Sequence, residues 1–187
     1  MIMPAWRLNK QRSAAMRQVF NLQPVPVMGN SMNKPDALCS MDRSADYRCL
    51  SQHLPNTLDA LPLLAEAVEI FGDEAGWGDV VVMQINLVLE ELIVNVIDYG
   101  YPDGRNGCID VLIETSAEEI RIRITDDGNA FDPFAAATPD LSLDITERPI
   151  GGLGIHLVRS YVDTYTYQYV NNHNKVVLTK CLAEASQ

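Results

Sequence analysis

The sequence predicts an α+β fold, a two-layer sandwich in which three helices cover one face of a mostly antiparallel sheet of about five strands. Its 187 residues are 47% hydrophobic and 21% charged, a composition that allows one domain with a substantial core. Three segments carry helical periodicity, and about five carry the alternation of polar and apolar residues that strands show. Short connections between consecutive strands favour antiparallel hairpins.

The first 45 residues are predicted to be a poorly ordered basic extension, which precedes a domain formed by residues 46–187. Pro24, Pro26 and Pro35 interrupt regular structure in this stretch. It also carries six basic residues and only two acidic ones. A short basic amphipathic helix near its start, suited to a membrane or a partner helix, is the alternative.

The compact region is predicted to open with a strand followed by two helices. Tyr47 to Leu54 has the pattern of a strand, and Asn56 is a suitable N-cap for a helix that extends to Phe71. The glycines between positions 72 and 78 predict a turn. A longer helix from Asp79 to Tyr99 then ends at Gly100, because glycine commonly terminates helices.

The second half is predicted to contain two hairpins separated by a long irregular segment and a short helix. Residues 126–151 show no stable period, and loops of that length are usually functional. Asn171 to Asn174 is interpreted as the connection between the last two strands. The predicted elements are the strands Cys108 to Thr115 and Glu118 to Thr125, the helix Leu153 to Tyr161, and the strands Thr164 to Val170 and Lys175 to Leu182.

Charge and cysteine spacing exclude several classes of function. Beyond residue 45 the chain carries 8 basic and 23 acidic residues, and such an acidic body repels the phosphates of nucleic acids. Polar residues interrupt the aliphatic stretch from Val80 to Ile97, so no membrane span is expected. The cysteines lack C-x-x-C spacing and no histidine lies near them in ligand-like pairs, which argues against a zinc site. We expect a cytoplasmic protein with reduced cysteines.

Glu91 and Asn95 are the first candidate site residues. They lie four positions apart in the predicted long helix, so their side chains project from one face, one turn apart. The helix is otherwise apolar, and a buried carboxylate and amide need partners. The alternative is a narrow solvated stripe, since Gln84 and Asp98 fall near the same face. A carboxylate can accept a proton, and an amide oxygen can bind a hard cation such as Mg²⁺.

Two glycine-containing motifs supply further candidates. Asp126 directly follows a predicted strand, where its carboxylate can accept a hydrogen bond from an exocyclic amine while Gly128 lets a flat ring approach. An ordinary Asp-Gly turn is the alternative. Gly151, Gly152 and Gly154 open a predicted helix, and backbone N–H groups at a helix start bind phosphates. A flexible hinge is the alternative for these glycines.

In their order along the chain, these motifs resemble the ATP-binding module shared by the gyrase, heat-shock-chaperone, histidine-kinase and mismatch-repair superfamily. Within that superfamily, five segments are similar to those of the small anti-sigma regulatory factor serine/threonine kinases. The resemblance covers about Tyr47 to Leu182 and implies a Bergerat-type ATP-binding fold. The five segments are Glu90 to Ile97, Tyr99 to Tyr101, Asp126 to Gly128, Phe131 to Pro133 and Gly151 to Val158.

The resemblance implies roles for residues at the metal and adenine. Glu91 would act as the general base and Asn95 would coordinate Mg²⁺. Asp126 would recognise the adenine amino group, Gly128 would line the adenine pocket, and Thr179 would add a hydroxyl on the adenine side.

It also implies how the phosphates of ATP are held. Gly151, Gly152 and Gly154 would cradle them at the helix start. Residues 131–150 would form an ATP lid, and Arg148 is the candidate phosphate contact because it is the only basic residue in that segment.

The function implied by the resemblance is that of an ATP-dependent protein serine/threonine kinase acting as an anti-sigma regulatory factor. Such a protein binds a sigma factor, phosphorylates an anti-sigma factor antagonist, uses ATP and Mg²⁺, and forms a homodimer. One alternative is an ATP-binding switch without phosphoryl transfer, although a pure binder needs no base at Glu91. A histidine kinase catalytic domain would need a preceding helical pair with a histidine, and a nucleotide-free scaffold would leave the Asp and glycine pattern unexplained.

Overall fold

One sheet of five strands forms the first layer of the computed structural model, which describes residues 47–135 and 153–182. The strands are β1 Arg48–Pro55, β2 Cys108–Thr115, β3 Glu119–Asp126, β4 Thr164–Val170 and β5 His173–Cys181. Their order in the sheet is β1-β2-β3-β5-β4, and all neighbouring pairs are antiparallel. The predicted basic extension, residues 1–45, lies outside the described residues.

Three helices within the described residues form the second layer. They are α1 Leu61–Ala75, α2 Asp79–Asn95 and α3 Leu153–Tyr161. A 3-10 turn, Leu58–Ala60, precedes α1, and a π-helical turn, Val96–Gly100, continues α2. The predicted two-layer α+β fold is therefore confirmed.

The core lies between the helices and the inner face of the sheet. Successive side chains of a strand point to opposite faces, and the inward residues of β3 are fully buried: Ile120, Ile122 and Ile124. Helix α2 adds a buried stripe at helical spacing: Ile85, Val88, Leu89, Leu92 and Ile93. Each such side chain contributes about 1.5–3 kcal/mol by leaving water. Both β3, which ends at the candidate Asp126, and α2, which carries the candidates Glu91 and Asn95, are thus fixed to the core.

By length and composition alone, the helical segment Asp79–Gly100 could cross a membrane. The buried core helix of a globular domain passes the same test. In this fold the buried stripe of α2 packs against the sheet, and 28% of the apolar window is buried inside the structure.

Asn56 does not cap a helix as predicted. Its Nδ2 donates to the carbonyl oxygen of Arg105 at 2.9 Å, and its Oδ1 accepts a hydrogen bond from the backbone N–H of Gly107 at 3.0 Å. Helix α1 begins at Leu61, with a proline in its first turn. The loop between α2 and β2 therefore competes successfully for the Asn56 side chain.

Gly72 lies inside α1 and not in the predicted turn. A Cβ at Gly72 would lie 2.7 Å from Val82 Cγ2 and 2.9 Å from the ring of Trp77, so glycine permits the close approach of α1 and α2. Gly76 ends the helix with a φ of 77°, in the left-handed region that favours glycine.

The hairpin between β4 and β5 is tighter than predicted. Asn171 and Asn172 have φ values of 53° and 61° and form a two-residue turn, so that Val170 pairs with His173. Strand β5 consequently begins two residues earlier than predicted, and Asn174 lies in the sheet directly opposite Asp126.

Candidate functional site

A narrow pocket lies between α2 and the inner face of the sheet. Its lining residues are Leu92, Asn95, Val96, Ile124, Asp126, Phe131, Pro133, Asn174 and Val176. The cavity volume is about 10 Å³, room for about one water molecule. A flat ring therefore enters only if the lining opens, and Phe131 to Pro133 is the part of the lining outside the helices and strands.

Asp126 is the buried carboxylate of this pocket, with 3% of its surface exposed. Its Oδ1 accepts a hydrogen bond from the backbone N–H of Gly128 at 2.9 Å and another from Asn174 Nδ2 at 2.8 Å. Burial raises the pKa of Asp126 above its usual value, and these two hydrogen bonds partly oppose that shift. Within the described residues, no hydrogen bond engages Asp126 Oδ2. This oxygen can accept a hydrogen bond from an amine in the pocket.

Asn174 is a site residue that the sequence did not reveal. It is 4% exposed, and its Nδ2 also donates to the carbonyl oxygen of Asn129 at 2.9 Å. Its Oδ1 accepts hydrogen bonds from the Tyr167 hydroxyl at 2.8 Å and the backbone N–H of Phe131 at 3.2 Å. The Asn174 side chain thus links Asp126 to the backbone of residues 129 and 131, which follow β3. The available signal was the Asn171-Asn172 pair, which marks a two-residue turn and places Asn174 in the strand.

The glycines beside Asp126 allow two backbone segments to meet. A Cβ at Gly128 would lie 2.8 Å from Asp126 Oδ1 and 2.9 Å from Gly100 Cα, so a larger residue does not fit without displacement. The backbone N–H of Asn129 donates to the carbonyl oxygen of Gly100 at 2.8 Å. The π-helical turn after α2 therefore anchors the end of β3.

Asp127 has a structural environment unlike that of Asp126. Its carboxylate accepts hydrogen bonds from the Tyr101 hydroxyl at 2.7 Å, Arg105 Nη1 at 3.1 Å and the backbone N–H of Cys108 at 3.2 Å. The Tyr101 hydrogen bond is the largest cause that lowers the pKa of Asp127, to about 2. Asp127 ties the loop after α2 to the sheet.

Asn95 lines the same pocket from α2. Its Nδ2 donates to the carbonyl oxygen of Glu91 at 2.7 Å, which fixes the orientation of the amide. No hydrogen bond from any described residue reaches Asn95 Oδ1. An amide oxygen is a ligand that Mg²⁺ accepts, so the residue fits the predicted metal contact.

Glu91 lies one turn before Asn95 and contacts the start of α3. A Cβ at Gly154 would overlap the Glu91 carboxylate, so glycine is required for this contact. Burial, and then the neighbouring Glu90 carboxylate, raise the pKa of Glu91. In the described part of the chain, no hydrogen bond engages the Glu91 carboxylate. A half-buried carboxylate with a raised pKa and free oxygens is suited to accept a proton.

The residues that follow β3 are held over the pocket by aromatic contacts. Tyr99 stacks on Phe131, with ring centroids 4.5 Å apart. Phe134 stacks on Tyr165 at 4.3 Å, and Arg159 Nη2 donates to the carbonyl oxygen of Phe134 at 2.7 Å. The beginning of the predicted ATP lid is therefore attached to α3 and β4.

Thr179 does not join the site, which corrects its predicted role on the adenine side. It pairs with Arg121, five residues along β5 from Asn174. Because side chains alternate along a strand, Thr179 points away from the face that carries Asp126. Arg148, Gly151 and Gly152 lie outside the described residues, as does the predicted lid beyond residue 135.

A larger groove of about 220 Å³ lies elsewhere, between α1 and α2. Its walls are mainly apolar, with Asn86 and Glu90 as the polar lining residues. Volume alone would favour this groove. The pocket beside Asp126 is the better candidate because buried polar groups converge there.

Comparison with known proteins matches most of the chain to one family. A family model described as a histidine kinase-like ATPase domain matches residues 54–180. The serine/threonine-protein kinase BtrW of Bordetella bronchiseptica is 26% identical over 102 residues, which cover 54% of this chain and 72% of that protein.

A solved structure of the RsbU and RsbW domains of a Mycobacterium tuberculosis protein has a TM-score of 0.48 and 16% identity to this chain. The match covers 70% of this chain and 32% of the solved one, so the chain spans about a third of that protein's solved length.

Proposed function

This chain belongs to the histidine kinase-like ATPase domain family, and from that premise we propose that it is an ATP-dependent protein serine/threonine kinase and an anti-sigma regulatory factor. Its similarity to a named serine/threonine-protein kinase supports the choice of reaction. The resemblance of its motifs to the anti-sigma regulatory factor kinases supports the choice of partners, a sigma factor and an anti-sigma factor antagonist.

The observation that carries the proposal is the order of three groups beside the pocket. Asp126 and Asn95 line the same pocket, and Glu91 lies one helical turn further from it, against Gly154. A nucleotide whose base contacts Asp126 can therefore extend past Asn95 toward Glu91 and the start of α3. Base recognition at the end of β3 is thus followed by metal binding and then proton transfer along α2.

Asp126 and Asn95 supply the binding contacts in this proposal. Asp126 Oδ2 accepts a hydrogen bond from the adenine amino group, while Asn174 and Gly128 hold Oδ1 in place. Asn95 Oδ1 is the ligand for Mg²⁺, which when bound would neutralise charge on the phosphates of ATP. Gly128 leaves room beside the carboxylate for the edge of the ring.

Glu91 supplies the proton transfer. It accepts the proton of the acceptor serine or threonine hydroxyl as that oxygen attacks the terminal phosphorus, and ADP leaves with the electrons of the broken bond. The raised pKa makes Glu91 a stronger base than an exposed carboxylate. We place this reaction in the cytoplasm, as expected for a protein with reduced cysteines, and in a homodimer, as the resemblance implies.

The test uses the full chain with γ-labelled ATP, Mg²⁺ and candidate antagonist proteins from the same organism. The expected product is an acid-stable phosphoserine or phosphothreonine on one antagonist, with the chain alone as control. An acid-labile phosphohistidine would support a histidine kinase instead. ATP binding without transfer to any antagonist would support an ATP-holding switch.

A further inference from the structure

Three metal-binding side chains that are distant in the sequence meet on the outer face of the sheet. His53 of β1 pairs directly with Asp110 of β2, and Cys108 lies two residues before Asp110 on the same face. One ligand atom from each of the three residues lies within 4.8 Å of the other two. The antiparallel pairing of β1 with β2 creates this cluster, which the spacing of cysteines and histidines in the sequence did not indicate.

We propose that His53, Cys108 and Asp110 bind a zinc-class divalent cation. Imidazole nitrogen, thiolate sulfur and carboxylate oxygen are all ligands of Zn²⁺, and this mixture is unsuited to Mg²⁺ or Ca²⁺, which take oxygen ligands. A neutral imidazole, a thiolate and a carboxylate also balance the two positive charges of the ion. Three protein ligands leave a fourth tetrahedral position for water.

The positions of the side chains require only a small adjustment. His53 Nδ1 and Asp110 Oδ1 are 2.6 Å apart, at hydrogen-bond distance. Ligand atoms around a tetrahedral Zn²⁺ lie about 3.3–3.8 Å apart, given metal–ligand distances of about 2.0–2.3 Å. The ion therefore replaces the shared proton and separates these two atoms slightly. The His53 and Asp110 side chains are 69% and 62% exposed, so they are free to move.

The backbone beneath the cluster is fixed. The backbone N–H of Cys108 donates to Asp127 Oδ1 at 3.2 Å, and the Tyr101 hydroxyl, which donates to the same Asp127 oxygen, lies 3.2 Å from the carbonyl oxygen of Cys108. Cys108 thus starts β2 from an anchored position. A pre-organised backbone lowers the entropic cost of placing a metal ligand.

This cluster is separate from the pocket beside Asp126. Ile109, which lies between Cys108 and Asp110, is fully buried on the inner face and pairs with Asp126. The cluster and the pocket therefore occupy opposite faces of the sheet. The zinc proposal stands whether or not the chain transfers phosphate.

The test is a titration of the reduced full chain with Co²⁺, followed by displacement of Co²⁺ with Zn²⁺. A cysteine-bound Co²⁺ gives a thiolate-to-metal charge-transfer band, and tetrahedral coordination gives intense visible bands. We expect one ion per chain. Cys108→Ser should abolish the charge-transfer band, and His53→Ala should weaken metal binding about tenfold or more. Cys49→Ser is the matched control, because Cys49 lies on the same face of β1, opposite Glu114, and should leave the spectrum unchanged.

His53→Ala should also fold normally, since its exposed side chain can be removed without disturbing the core. A loss of metal binding by this variant is therefore not caused by misfolding. Absence of saturable binding by the parent chain would overturn the proposal. Equal affinity in the parent, Cys108→Ser and His53→Ala chains would overturn it as well, since the metal would then be held elsewhere.

Discussion

The two ends of the candidate site differ in how their carboxylates are held. Asp126 is almost fully buried, and two donors, Gly128 and Asn174, fix its Oδ1. Glu91 is half-buried against Gly154, and no hydrogen bond within the described residues engages its carboxylate. Asp126 is oriented by hydrogen bonds, whereas Glu91 is positioned by packing.

This difference separates recognition from chemistry. A carboxylate held by fixed donors keeps its geometry when a ligand arrives, which favours binding. A carboxylate with free oxygens and a raised pKa can accept a proton. Burial raises the pKa of both groups, but only Asp126 has hydrogen bonds that oppose the shift. We therefore expect substitutions at the two ends to affect different steps.

The largest effect is expected for Glu91→Gln. Transfer should fall by about 10²- to 10⁴-fold, because the hydroxyl loses its proton acceptor. ATP affinity should stay near that of the parent, as measured by calorimetry. Glu90→Gln is the matched control, because Glu90 is exposed and burial, the larger cause of the raised pKa of Glu91, is unchanged, so most of the transfer should be retained. Full transfer by Glu91→Gln would refute the assignment of the base.

The second-largest effect on phosphoryl transfer is expected for Gly154→Ala. The new Cβ would overlap the Glu91 carboxylate and displace it, and misplacement of a reacting group by about 1 Å can reduce the rate about 10²-fold. Transfer rates at saturating ATP would measure this. Gly78→Ala provides the control, because nothing lies within 4 Å of a Cβ at Gly78. If Gly154→Ala transfers phosphate as fast as the control, the contact with Glu91 does not matter for the reaction.

Asp126→Asn is expected to weaken the binding of ATP. The amide replaces one acceptor by a donor that faces the adenine amino group, at a cost of about 1–3 kcal/mol, or about 5- to 150-fold in the dissociation constant for ATP. Calorimetry with ATP and ADP should show the same loss for both, since the contact is to the base. An unchanged dissociation constant would remove the adenine role from Asp126.

Asn174→Ala should reduce ATP affinity less, by about fivefold, because it leaves Asp126 in place but removes one of its two donors. Thermal melts should also show a loss of stability, since Tyr167 and Phe131 lose their shared acceptor. Gln168→Ala, on an exposed position of β4, is the control and should change neither quantity. If ATP affinity and the melting temperature match those of the control, Asn174 does not position Asp126.

The smallest effect concerns acid stability. Because hydrogen bonds lower the pKa of Asp127 to about 2 in the folded chain, this group stabilises the fold above its unfolded pKa. That contribution should be lost as the pH falls from about 4 to about 2. Melting temperatures across this range should show a shallower decline for Asp127→Asn than for the parent. Equal declines would place the acid sensitivity in other groups.

The sequence predicted the elements well where periodicity was strong. The strands Cys108–Thr115 and Thr164–Val170 and the helix Leu153–Tyr161 have the predicted bounds. Local sequence patterns predicted the structure less well where contacts between distant segments determine it. Asn56 binds a distant loop instead of capping a helix, and Gly72 serves the packing of two helices.

The candidate site residues were likewise predicted where a local motif was clear and missed where strand pairing decides their position. Asp126 and Asn95 line one pocket and Glu91 contacts Gly154, and their roles in the site stay predictions. Asn174 was missed because four consecutive polar residues resemble a loop, and Thr179 was misplaced because its position on the last strand does not show which face of the sheet it occupies. The meeting of His53 with Cys108 depends on strand pairing, which no local pattern in the sequence encodes.

The dependence of the transfer rate on ATP concentration, measured side by side for Glu91→Gln and Asp126→Asn, tests the separation of recognition from chemistry most directly. Asp126→Asn should approach the parent's maximal rate at high ATP, with a raised half-saturating concentration. Glu91→Gln should half-saturate at the parent's concentration but reach a maximal rate lower by about 10²- to 10⁴-fold. If both variants lose affinity and maximal rate in parallel, Asp126 and Glu91 do not act on separate steps of binding and transfer as proposed.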